Sequence, residues 1–191
     1  MAKPLRSCLF FLLILFVLFL GSIVFLELGS RWYIMSTPSS SAPEILVCHL
    51  DYYPVNEEKI LILDQLTQKH ANGEQIQDHE LESASILAPQ ADMPSLNGIV
   101  CNGMIIVSSR LEGPARLYVI RHELEHVFQI AGLEPDCEDT ELCATWAAAL
   151  DYPLGFVSAI ISSLKEAYRL SPSVWEFLFS SWYVFKVYLL P

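Results

Sequence analysis

Nineteen consecutive apolar or small residues, Cys8 to Leu26, open the chain without a charge or a proline. That length matches the ~20 residues a membrane-spanning helix needs and exceeds the ~7 to 15 of a signal peptide's apolar region. Lys3 and Arg6 precede the run, and Glu27 and Arg31 follow it, so the basic bias leaves the N-terminus in the cytoplasm and the remainder outside. Gly21, Ser22, Gly29 and Ser30 are small residues where a signal peptidase can cut, so a cleaved signal peptide is the alternative. Residues 1–31 therefore read as a transmembrane anchor or a signal peptide. Residues 32–43, ending Ser39-Ser40-Ser41-Ala42-Pro43, read as a Ser/Pro-rich tether, and a domain is expected over 44–191.

Within that domain, Ile45 to Tyr53 has the branched and aromatic content of a strand, closed by Pro54. Asn56 can cap a helix carrying Ile60, Leu61, Leu63 and Leu66 at helical spacing, which stops near Gly73. Residues 74–96 read as a short helix and loops. Asn97-Gly98 and Asn102-Gly103 are turn signals around the apolar runs 99–101 and 104–107, which predict a hairpin. Pro114 suits the first turn of a long amphipathic helix ended by Gly132. Asp136 can cap the next helix, which runs to about Leu150 with Glu138, Asp139 and Glu141 in its first turns. Pro153 and Gly155 precede a helix over about 156–170. Ser171-Pro172-Ser173 starts a last one, rich in Trp, Phe and Tyr, which either touches a bilayer interface or covers the domain as a core helix.

Charge narrows the partners. Eleven Lys and Arg against twenty-two Asp and Glu, a net charge of -11, leave no basic stripe for a phosphate backbone, so no nucleic-acid partner is expected. Of five cysteines, Cys48, Cys101, Cys137 and Cys143 lie beyond the apolar run. Their number is compatible with disulfides in an oxidising compartment, with three possible pairings and no Cys-x-x-Cys to suggest a zinc module.

The chemistry gathers in Arg121-His122-Glu123-Leu124-Glu125-His126. Two histidines four apart on a helix share a face and can hold one metal ion. Glu123 beside them can take a proton from water at that metal. A catalytic zinc takes three protein ligands and keeps a fourth position open, so one more ligand is required. Glu141, fifteen residues after His126 on a helix able to turn back along the first, is the preferred candidate, with Ala144, Thr145 and Ala148 allowing close approach. Glu138, one turn earlier, is the alternative. His49, His70 and His79 read as surface or structural histidines.

The run from Arg121 to Gln129 resembles the active-site helix of zincin metallopeptidases, and the downstream glutamate resembles the gluzincin type. Glu141-Leu142-Cys143-Ala144-Thr145-Trp146-Ala147-Ala148-Ala149-Leu150 is similar to the glutamate helix of small gluzincins such as the ImmA/IrrE-like peptidases. The resemblance covers about Ile99 to Leu150. It implies an α+β zincin-like core with a small sheet, an HExxH helix and a glutamate-bearing helix. It also implies Zn2+ held by His122, His126 and Glu141, and Glu123 as general base acting on a peptide or protein substrate. Thr145 stands where thermolysin-like enzymes have an aspartate. The strand around Met104 to Ser109 is expected to take an extended substrate by β-augmentation. The combined expectation is a single-pass cell-membrane peptidase with its catalytic domain outside the cytoplasm, the alternative being a tethered non-catalytic zinc-binding or interaction domain.

Overall fold

The computed structural model describes residues 21–28, 53–89, 97–134, 140–171 and 173–189. The expected strand at 45–53 lies outside these, except Tyr53, which sits in a bend. Helix α1, Glu57–Ala71, begins where Asn56 Oδ1 accepts from the Lys59 backbone N–H at 3.3 Å; Glu57 and Glu58 face the positive end of the helix dipole, Lys69 and His70 the negative end. Its buried side chains are Leu63 and Leu66, whereas Leu61 is exposed. Helix α2, Asp78–Ala84, starts with Glu80 accepting from the Gln77 backbone N–H at 2.9 Å.

Strand β1, Ser85–Ala88, follows α2 directly, in a region where the sequence predicts a short helix and loops but no strand. The predicted hairpin forms as β2, Gly98–Cys101, and β3, Met104–Ser108, joined by Asn102 and Gly103 at φ 53° and 73°, the left-handed pair of a tight two-residue turn. The sheet order is β1-β3-β2, with β3 parallel to β1 and antiparallel to β2. All five residues of β3 are buried, as a strand covered on both faces requires.

Helix α3, Gly113–Ile130, lies on one face of this sheet and carries the histidine motif. Its Tyr118, Val119, Ile120, Leu124 and Phe128 join Leu63, Leu66, Leu81, Ile105 and Val107 in the main core; Ala88, Cys101 and Ile106 form a smaller cluster. Helix α4, Thr140–Asp151, and helix α5, Pro153–Leu170, both pack on α3, and α6, Val174–Leu189, packs on α5. Helix α5 begins at Pro153 rather than after Gly155, because Pro occupies its first turn, where the missing N–H has no helical partner to lose. Gly155 is instead a point of contact: a Cβ there would stand 2.2 Å from the Pro114 carbonyl oxygen and 2.7 Å from Tyr118 Cβ.

The chain is thus α+β, mostly helical, with one small mixed sheet. Of the expected anchor, residues 21–28 are described and are helical. Among the described residues no single helix is long and apolar enough to cross a membrane; only α4 and α5 taken together reach that length, and they are bent by 119°.

Gly155→Ala tests the α3–α5 contact. Alanine gains up to about 1 kcal/mol of helix propensity but meets backbone that cannot yield, and overpacking costs about 1–3 kcal/mol. A lower urea midpoint with an unchanged slope is expected, and an equal or higher midpoint would show that the two helices separate freely.

Candidate metal centre

Four residues apart on α3, His122 and His126 stack their rings edge to face, 4.9 Å between centres and 87° between planes. Glu141, in the first turn of α4, reaches both. Its Oε2 lies 3.5 Å from His122 Nε2 and its Oε1 3.4 Å from His126 Nε2. The three ligand atoms lie within 4.8 Å of one another and form a group that could hold a metal ion. The separations themselves are informative. They are longer than a good N–H···O hydrogen bond, yet ligands held 2.0–2.1 Å from a tetrahedral ion sit about 3.3 Å apart. The two carboxylate–imidazole separations are thus close to those of ligands that share a cation, although they involve different oxygens of Glu141.

Packing explains how α4 comes this close. Ala144, Thr145 and Ala148 are buried on its α3 side, so only small side chains separate the helices. At the other end Arg121 ties them together: its Nε donates to Asp151 Oδ2 at 2.8 Å and its Nη1 to the buried Glu125 at 2.5 Å, while its guanidinium covers the Phe128 ring. Glu125 is thus held in a structural ion pair and takes no part in the donor group. Cys143, two residues after Glu141, is disulfide-bonded, and Cys101 is a buried thiol. A set of four unpaired thiols is excluded.

Hydrogen bonds set the imidazoles unequally. His126 Nδ1 lies 3.0 Å from Gln129 Oε1, an acceptor that favours the proton on Nδ1 and leaves Nε2 facing Glu141. His122 Nδ1 is buried with no hydrogen-bond partner among the described residues. With no cation between them, the hydrogen bond to Glu141, and secondarily that to Gln129, pushes the His126 pKa up to about 9. Hydrogen bonds to His122 and His126 hold the Glu141 carboxyl well below the usual carboxylate range. A metal here takes the place of a proton, because a ligating imidazole must be neutral.

No known protein family, curated protein or solved structure matches the chain.

Glu123 occupies a different environment from the donor group. It is 8% exposed, and burial raises its pKa, an effect the neighbouring histidines oppose. Gly98, the first residue of β2, makes its place: a Cβ there would stand 2.8 Å from Glu123 Oε1 and 2.6 Å from Val119 Cγ1. Sequence reading assigns Gly98 to a turn; the structure puts it in a strand, as glycine, because the carboxylate lies against it. An isolated glycine at the start of an apolar run is compatible with a close approach, but which side chain lies against it depends on how the sheet meets α3.

One expectation changes. The strand Met104–Ser108 is the central one, hydrogen-bonded on both sides, so it cannot accept a substrate strand; of the two edge strands, β2 is the one packed beside Glu123. Glu138 lies outside the described residues, and the carboxylate that reaches the histidines is that of Glu141. Among the other histidines, His70 stacks on Phe128 at 4.0 Å and bonds Glu134 at 2.8 Å, a structural role, and His79 is exposed.

Proposed function

We propose that the chain is a zinc-dependent peptidase in which His122, His126 and Glu141 hold the metal and Glu123 is the general base. The observation that carries this reading is the meeting of one carboxylate, fifteen residues after His126 and on a different helix, with two imidazole Nε2 atoms at 3.4 and 3.5 Å. Two nitrogens and a carboxylate are a donor set that zinc accepts, and three protein ligands leave its fourth position open. Zinc held there supplies a Lewis acid and makes water more acidic.

The protein's own groups do the rest. Glu123 is not one of the three converging donors, so its carboxylate is available for proton transfer. Burial raises its pKa above the ordinary carboxylate value, which makes the carboxylate a stronger base, while His122 and His126 oppose the shift. It accepts the proton of the attacking water and delivers it to the amine that leaves the peptide bond. The helical clamp through Arg121 and Asp151 holds Glu141 in register with the histidines. The substrate is a peptide or protein met outside the cytoplasm, with the enzyme held to the membrane by its N-terminal apolar run.

A second reading, a membrane-tethered zinc-binding domain without turnover, is favoured by one feature: Glu123 is packed under Gly98 and has little solvent access. The two readings separate in one assay. Full-length protein incubated with a mixed peptide library should yield cleavage products that vanish on zinc chelation and return on zinc addition. Stoichiometric zinc with no cleavage of any peptide would favour the second reading.

A further inference from the structure

The described part of the N-terminal apolar run is packed on the other end of the chain. Phe25 lies edge-on to Trp175 at 5.9 Å between ring centres and against Phe179 at 5.5 Å. Two residues on, Glu27 accepts from Lys186 Nζ at 2.8 Å and from Trp182 Nε1 at 3.2 Å. The contacts move from positions 175 and 179 to 182 and 186 as the segment advances, so it runs along α6 in the same sense. The described segment therefore begins toward the N-terminal end of α6, the end that follows α5.

At the α5–α6 elbow several apolar side chains are exposed, beside the Arg169–Glu166 ion pair. Tyr168 is 71% exposed, Val174 72% and Trp175 61%. Beside them lies a groove of about 350 Å³ walled by Ile161, Leu164, Tyr168 and Phe177, with Lys165 as its one charged residue. Leu154, Val157 and Ile161 continue the exposed stripe down α5 at helical spacing. Such a face on an amphipathic helix normally turns to a core. Here it turns outward, and at this scale an exposed apolar surface marks an interaction site.

We propose that the α5–α6 elbow is seated in the headgroup–acyl boundary of a phospholipid bilayer, with an acyl chain in the groove and Lys165 directed at the lipid phosphate. The occupant is lipid because the sequence has a nineteen-residue uncharged run of membrane-spanning length, and its described C-terminal end lies along α6, with Phe25 on Trp175 and Phe179. Tyrosine and tryptophan at the rim and a single lysine with an aliphatic stem suit that boundary. Glu27, the first charge after the run, is neutralised by Lys186 where it leaves the bilayer. The inference is independent of the metal centre.

The test uses full-length protein in phosphatidylcholine vesicles, with and without bromine on the acyl chains, and the emission of its four tryptophans. The share of emission contributed by Trp175 is read as the difference between the parent and Trp175→Phe. A residue within the outer 5–10 Å of the boundary should lose roughly half or more of that share to brominated lipid and little to aqueous iodide. Ile161→Trp should add emission that brominated lipid also quenches, reporting the groove. Iodide quenching without bromine quenching would place the elbow in water, and quenching by neither would place protein over it; either result overturns the proposal. Quenching at Trp175 but not in Ile161→Trp would overturn the acyl-chain assignment.

Discussion

Glu123→Gln is expected to retain zinc and lose hydrolysis, with kcat/KM falling about 10²–10⁴-fold, the usual contribution of a positioned general base. The amide matches the carboxylate in shape, so it fits the space that Gly98 leaves open without moving Val119 or β2. Burial already raises the pKa of the carboxyl, so removing its charge relieves a desolvation cost, and the variant should fold at least as well as the parent. What the amide cannot do is accept a proton from water. Kinetics on a cleaved peptide, with zinc content measured on the same preparation, check this. Unchanged kcat/KM would remove Glu123 from the mechanism, and loss of zinc together with activity would mean that Glu123 is a ligand.

Removing the third ligand should have the largest effect on metal affinity. Glu141→Ala leaves two imidazoles, and zinc affinity is expected to fall well beyond the roughly 10 to 100-fold seen when residues behind the ligands are changed. The fold should survive, because Glu141 is 63% exposed and contributes no core packing. Glu138→Ala should leave zinc in place and cost at most about 0.3 to 1 kcal/mol through the lost helix-end interaction. Zinc titration of both variants decides the assignment. Loss in Glu138→Ala with retention in Glu141→Ala would reverse it, and retention in both would place the third ligand elsewhere.

Local features carried most of what the sequence revealed. Asn56, Pro114, Gly132 and the apolar spacing of α1 and α3 act within a few residues, so those helices lie where their caps and periodicity put them. The hairpin followed from Asn102-Gly103, whose left-handed conformation only such a pair adopts easily. Glu141 was legible because helical spacing, small neighbours and distance from His126 are all sequence properties. Strand β1 was not: Ser85 to Ala88 has no alternation and follows α2 without a break, and it becomes a strand only by pairing with Ile105 to Ser108, some twenty residues away. The centrality of β3 was legible in principle, since Met104 to Val107 is an unbroken apolar run of the kind a doubly covered strand needs. The Arg121–Asp151 clamp joins residues thirty apart whose side chains look like ordinary surface charges, so nothing local marks it. The place of Gly98 against Glu123 likewise depends on how the sheet meets α3.

The central claim is that His122, His126 and Glu141 hold a zinc ion, and metal content per chain tests it most directly. Full-length protein, purified without chelators or reloaded after chelation, is expected to hold one zinc per chain, and His126→Ala to hold none under the same conditions. A parent chain that binds no stoichiometric zinc, or a His126→Ala chain that keeps it, would contradict the site.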